Sequence, residues 1–177
     1  KMIAWTHTTI EAIDRMDELS QKTGIATEAL SRLGYAASFS SIDTETLADG
    51  LVKMNKALAE AQGKGGNIFQ SLGLDPKALA AMPPDAAFMK IADAINALPT
   101  AADKAAASMA IFGKSGANLL PMLSAGSKGL QDMAKESDAF GNTIDTAAGI
   151  KVAAAADALD RLGKIGQGAM NQIMIQA

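Results

Sequence analysis

The sequence predicts an all-α protein, with short antiparallel helices in a bundle-like array followed by a longer C-terminal helix. Three observations predict it. Alanine, the best helix former, makes up about a fifth of the 177 residues. Aromatic residues, which favour strands, make up only 4%. In the longer segments apolar residues recur at spacings of three and four, the period of one helix face.

The first helix is expected over about Thr9 to Lys22. Thr8 and Glu11 have the spacing of a capping box, and Gly24 can end the helix. Ile10, Ile13, Met16 and Leu19 share one face, and Glu11 with Arg15 makes an i,i+4 pair on the other. A second helix over Thr27 to about Ser38 buries Leu30, Leu33 and Ala37. Asp43 can cap a third, running to about Gln62. Its apolar positions Leu47, Leu51, Met54, Leu58 and Ala61 are spaced 4, 3, 4 and 3 apart, an a/d seam of about two heptads.

Gly63-Lys64-Gly65-Gly66 is the clearest break in the chain and reads as a flexible hinge. The expected organisation is an N-terminal helical segment (1–62), this hinge (63–66), a compact array of short helices (67–144) and a long C-terminal helix (145–177). Within the array, Ile68 to Leu72 is a short helical piece stopped by Gly73. Asp75-Pro76 starts another, with Pro at the first helical position where its missing N–H costs nothing. Pro83-Pro84-Asp85 opens a longer helix that ends before Pro99, with Phe88, Ile91, Ile95 and Leu98 as its stripe.

Thr100 and Asp103 then cap a helix ending at Phe112-Gly113. Ser115 is expected to cap the next piece, through Leu119, Leu120 and Leu123, and Pro121 to restrict it to a first turn or a kink. A further helix spans Ser127 to Phe140, with Gly141 as its stop. Asp145 can cap the last, where Val152, Ala155, Leu159, Leu162, Gly166, Ala169 and Ile173 follow a second heptad seam. Its Gly163, Gly166 and Gly168 each cost roughly 1 kcal/mol against Ala, so a partner packed on this helix is expected. The candidate helix-packing interface is therefore Leu47, Leu51, Met54 and Leu58 with Val152, Leu159, Leu162 and Ile173.

Composition narrows the function. The net charge is −3, with Lys and Arg scattered, so the basic footprint of a nucleic-acid binder is missing. There is no cysteine, hence no disulfide and no thiolate metal site. No run approaches the roughly 20 apolar residues that cross a bilayer. No signal peptide is visible, and the opening in mid-pattern at Lys1 reads as part of a longer polypeptide.

No residue pattern points to a catalytic, cofactor-binding or metal site. Gly113-Lys114-Ser115 looks like the end of a phosphate-binding loop. That motif needs a Gly where Ser108 stands and a strand where Met109 to Phe112 reads as helix. The single histidine, His7, cannot by itself supply the ligands of a zinc site. Asp14, Asp17 and Glu18 lie away from the apolar face of their helix and read as solvated. Of the ten methionines, Met16, Met54, Met89, Met109, Met122 and Met133 fall on or beside apolar stripes, as core filling would place them.

A resemblance to a family adds to this. Asp17-Glu18-Leu19-Ser20-Gln21-Lys22-Thr23-Gly24, then Thr27-Glu28-Ala29-Leu30, and Thr44 through Lys56 resemble segments of tail tape-measure proteins of long-tailed, siphovirus-like bacteriophages and prophages. So do Phe69-Gln70-Ser71-Leu72-Gly73-Leu74 and Phe88-Met89-Lys90-Ile91-Ala92-Asp93-Ala94. The likeness is strongest from Ala110 to Pro121 (AIFGKSGANLLP), and Asp157 to Leu162 is similar to the start of a following helical region. It covers about residues 10 to 165. Two departures stand out. The family often has Ser ahead of the Glu-Ala-Leu helix, where this chain has Ala26-Thr27. It also often has Ser-Pro-Asp-Glu-Ala-Phe where this chain has Pro83 to Phe88. Each departure removes a favourable helix cap.

The resemblance implies a structural protein with no cofactor. Several copies would lie inside the tail tube as a homo-oligomer, setting its length. Tail-tube, tail-tip and tail-chaperone proteins are the implied partners, with contact to the genome end or the host envelope at ejection. The implied locations are the host cytoplasm during assembly, the tail lumen of the virion, and the host cell envelope after ejection. A membrane- or envelope-active helical module, motivated by the uncharged Ala- and Met-rich stretches, is the alternative. The stretch from Phe88 to Leu123 is expected to be a folded insert. A ruler needs the constant rise of about 1.5 Å per residue of a continuous helix, which Pro99, Gly113 and Pro121 interrupt.

Overall fold

A computed structural model describes residues 2–62, 67–144 and 161, with no strand and nine helices among them. The helices are α1 (Met2–Thr23), α2 (Thr27–Phe39), α3 (Thr44–Ala61), α4 (Ile68–Ser71), α5 (Pro76–Ala80), α6 (Pro84–Asn96), α7 (Ala101–Phe112), α8 (Ser115–Leu123) and α9 (Gly126–Ala139). The protein is therefore all-α, as its composition predicts. The chain divides into two compact units, Met16–Thr143 and Lys1–Arg15 with Ile144–Ala177. In the second of these the described structure is chiefly the first part of α1. The expected hinge at 63–66 and the C-terminal helix from Asp145 lie outside the described residues.

Local chemistry explains most helix boundaries in the Met16–Thr143 unit. The Asp43 carboxylate accepts the Thr46 N–H at 2.8 Å and its hydroxyl at 2.7 Å, capping α3. Thr100 Oγ1 accepts the Asp103 N–H at 3.1 Å at the start of α7. Asp75 accepts the Lys77 N–H at 2.9 Å, ahead of Pro76 at the first position of α5. Two starts, Ala26 before α2 and Pro83 before α6, have no side-chain cap.

Three helices close in a left-handed residue whose successor's N–H returns to the last turn. Ser41 (φ 55°), Gly73 (φ 72°) and Gly141 (φ 68°) hold that position. The returning bonds are Ile42 N–H to Ala37 O, Leu74 N–H to Phe69 O and Asn142 N–H to Ser137 O, at 2.8–3.0 Å. Only Ser41 carries a side chain in this conformation, which costs an L-residue about 1 kcal/mol. Ser41→Gly is accordingly expected to stabilise the protein by about 0.5–1 kcal/mol in a urea melt. An unchanged or lowered midpoint would contradict the assignment.

Two expectations are corrected, and of the two placements open to Pro121 the first-turn one is excluded. The first helix begins at Met2 and not at Thr9, so Thr8 is an internal helical residue and does not cap it. Ser115 is the first residue of α8, and the position before it, Lys114, is already helical (φ −59°, ψ −33°) with no side-chain cap. Pro121 sits inside α8, whose helix continues to Leu123. The cost is contained because Ala117, whose carbonyl Pro121 leaves without a helical donor, is exposed to water.

The core of this unit is continuous across residues 63–66. Leu30, Leu33, Leu47, Leu51, Met54 and Leu58 from before that stretch cluster with Phe69, Phe88, Ile91, Ile95, Ile111, Phe112, Leu119 and Leu123 from after it. The helix α3 is the hub, packing against α2, α5, α6, α7 and α8. The core therefore does not stop at the Gly-rich stretch, and the helices on its two sides are not separate substructures.

The Asp43 cap gives a pH-dependent prediction. The hydrogen bonds from Thr46, side chain first and backbone second, hold the Asp43 carboxyl below its ordinary 3.8. A depressed folded value means that the ionised cap stabilises above the ordinary value and is lost as pH falls through the folded one. Asp43→Ala is expected to cost about 1 kcal/mol at neutral pH. The gap from wild type should narrow below about pH 4, as the cap protonates. Urea melts at pH 7 and pH 3 check both, and a gap that widens in acid would contradict the cap.

Candidate functional site

The seam of α3 was the first half of the expected helix-packing interface. Leu47, Leu51 and Met54 have no exposed area, and Leu58 is nearly as buried. They pack helices, but the partners are α2, α5, α6, α7 and α8 of the same chain. The chain's own helices therefore cover this seam. A heptad pattern identifies an apolar face, and a compact chain can cover that face itself. The second half, Val152, Leu159, Leu162 and Ile173, lies outside the described residues.

What the seam does build is a close three-helix junction. Helix α8 lies against both α3 and α7 through glycine. A methyl group at Gly50 of α3 would come 2.5 Å from Leu119 Cδ1 of α8. One at Gly116 of α8 would come 2.2 Å from the Ser108 carbonyl oxygen and 2.8 Å from the Met109 nitrogen of α7. Between the two contacts, Phe112 and Leu119 are fully buried. Gly113, at φ 62°, turns the chain from α7 into α8. The segment from Ala110 to Pro121 thus spans the turn that lays α8 against both α7 and α3.

This placement also settles the phosphate-loop look-alike. Gly113-Lys114-Ser115 connects two helices, and no strand feeds it. The Gly113 turn lies over the aliphatic stem of Lys53, 3.6 Å from where a Cβ would sit. A phosphate cradle needs successive loop N–H groups open to the ligand. Here the Gly116 N–H already donates to the Gly113 carbonyl at 3.0 Å.

Other candidates resolve into structure. Asp14, Asp17 and Glu18 are exposed, and Asp17 accepts from Gln21 Nε2 at 3.0 Å. Met54 and Met122 are buried, Met16, Met89 and Met133 pack on the core partly exposed, and Met109 stands 49% exposed. His7 is not among the residues whose side chains are described. Among the described residues no group of three or more His, Cys, Asp or Glu side chains is placed to hold a metal ion. No helix among them is long and apolar enough to cross a membrane.

One open groove of about 300 Å³ lies where α3, α5 and the start of α6 meet. Leu58, Leu79, Met82, Pro84 and Ala87 make its walls apolar, with Asn55 and Gln62 as the polar groups. Asn55 has a structural task beside the groove, since its Nδ2 donates to the Thr23 carbonyl at 2.8 Å and fixes the end of α1. Sequence reasoning singled out neither the groove nor Asn55. Both arise from the packing of helices distant in sequence.

The α2–α9 joint carries a cluster of polar contacts. Arg32 Nε donates to Asp138 Oδ1 at 2.9 Å, and Thr143 Oγ1 donates to the same oxygen at 2.6 Å. These two bonds, Arg32 first, hold the Asp138 carboxyl below its ordinary range. Ser31 Oγ donates to the Asn142 carbonyl at 3.2 Å. Burial and the nearby Glu136 carboxylate push the Tyr35 hydroxyl up. Since 31, 32 and 35 meet 142, 138 and 136, the two helices run antiparallel.

Comparison with protein-family models, curated proteins and solved structures finds no match for this chain.

Proposed function

We propose that this chain is a structural, non-enzymatic segment of a phage tail tape-measure protein, acting in tail assembly, tail-length determination and genome delivery. The ordered series of resemblances from Asp17 to Leu162 carries the reading. Support comes from the place of its strongest part, Ala110 to Pro121, at the junction that organises the core. A family sharing this fold would keep those residues for packing, whatever its members do elsewhere.

Within that role the Met16–Thr143 unit is a folded module and not the measuring rod. A rod needs a continuous helix rising about 1.5 Å per residue. The 36 residues from Phe88 to Leu123 are divided among α6, α7 and α8. Self-association in the tail lumen, and contacts with tube, tip and chaperone proteins, would use surfaces other than the α3 seam. The 152–173 seam is the one the sequence offers. The membrane-active alternative loses part of its motive, because Leu119, Met122 and Leu123 of the uncharged 115–127 stretch are core residues.

The test is genetic and structural. The full-length gene should be a very long reading frame beside tail-tube and tail-chaperone genes. Excising the module from it should impair infectivity, seen by plating. Tails of unchanged length with full infectivity, together with a strictly monomeric segment at high concentration, would sink the proposal.

A further inference from the structure

Helix α9 is built in two unlike halves. Its first half is anchored in the core. Leu130 is buried, and the Ser127 N–H donates to Asp93 Oδ1 of α6 at 2.6 Å. Gly126 approaches α6 so closely that a Cβ there would come 3.1 Å from the same carboxylate oxygen. Beyond Leu130, however, no residue up to Thr143 buries an apolar side chain. Met133 and Ala134 are half-buried, Phe140 is 69% exposed, and the one buried residue is Ser137, whose hydroxyl pairs with that of Thr143 at 3.0 Å.

The side-chain contacts between this second half and α2 include the Arg32–Asp138 ion pair, with both charged side chains 39–46% exposed, the Glu136 carboxylate beside the Tyr35 hydroxyl, and the part-buried Ser31 bond to the Asn142 carbonyl; all are polar, and the ion pair faces water. An exposed ion pair contributes little to stability and is screened by salt. Segments with few buried apolar contacts open at free energies far below that of global unfolding.

We infer that residues 134–143 form a strap that lifts from α2 as one cooperative unit while the rest of the Met16–Thr143 unit stays folded, with Asp138 as its latch. The hinge lies between Leu130 and Ala134, where apolar anchoring ends. Asp138 is suited to latch because one carboxylate oxygen takes both the bond from α2 and the bond from the segment after α9. Releasing it breaks the bond to α2 and the bond to Thr143 at once.

Native-state hydrogen exchange on the 177-residue chain, read by NMR, tests this. Amides of 134–142 should exchange with one common opening, on the order of 100-fold faster than those of 88–95 in α6. Asp138→Asn, and separately Arg32→Gln, should speed the strap's exchange about threefold to fivefold and leave 88–95 unchanged. The Arg32 variant leaves the composition of α9 untouched, so an effect common to both belongs to the latch. Equal protection in the two segments overturns the inference. So does protection that declines residue by residue towards 142, which is end-fraying, or exchange that neither variant changes.

Discussion

Gly116→Ala is expected to destabilise the protein by about 3 kcal/mol or more, at or above the usual range for overpacking a core. The added methyl would fall 2.2 Å from the Ser108 carbonyl oxygen and 2.4 Å from its carbon. Those are backbone atoms inside α7 and cannot turn aside as a side-chain end can. Moving α8 away from α7 is costly too, because Leu119, on the neighbouring stripe of the same helix, is packed against α3 at Gly50 and would lose that contact. The measurement is the urea midpoint of the variant against wild type. A matched control is Gly34→Ala in the interior of α2. There the new methyl would meet Thr44 at an ordinary 3.5 Å, so the gain in helix propensity should leave stability unchanged or raised by up to about 1 kcal/mol. If the two substitutions behaved alike, the close approach of α7 and α8 would be wrong.

The contrast between those glycines marks where sequence reading stops. In the sequence, Gly34 and Gly116 are both glycines within or near helical patterns. Only the fold tells that one faces a threonine at normal distance and the other a neighbouring backbone. Caps were readable because they are local. Asp43, Thr100 and Asp75 each reach an N–H two or three residues ahead, and spacing alone discloses that. The cap on α9 was not readable, since its acceptor is Asp93, on another helix 34 residues earlier. Local signals also misled when something stronger continued the helix. The Thr8–Glu11 spacing is a valid start signal, but α1 is helical from Met2, so the signal falls inside it.

The α3 seam shows the same limit at the level of function. Its 4-3-4-3 spacing identified five buried positions, Leu47, Leu51, Met54, Leu58 and Ala61, and missed two more, Ala48 and Gly50. What it could not identify was the partner. An amphipathic face is satisfied equally by another copy or by the chain's own later helices. Here α5 to α8, which follow the Gly-rich stretch, return to cover it.

Phe112→Ala is the second large effect, with an expected loss of about 3–5 kcal/mol. Phe112 is fully buried at the last position of α7, and its ring meets that of Phe88 edge to face at 5.7 Å and 71°. Deleting it opens a cavity between α6 and the turn at Gly113. It also forfeits the aromatic pair, worth about 0.5–1.5 kcal/mol beyond its area. A Phe88/Phe112 double-mutant cycle in urea should therefore show coupling of about 1 kcal/mol. Phe112→Leu, which keeps most of the volume, should lose markedly less than Phe112→Ala. A loss below about 1 kcal/mol for Phe112→Ala would mean that the ring is not a core element. The series also separates two readings of the Ala110–Pro121 segment. If the segment is architectural, any activity of the full-length protein should fall in step with stability across Phe112→Leu, Phe112→Ala and Gly116→Ala. If it is a recognition surface, activity should be lost in Phe112→Leu while the fold persists. Burial of Phe112, Leu119 and Gly116 favours the first outcome, because side chains enclosed by α3, α6 and α7 have no face left to offer a partner.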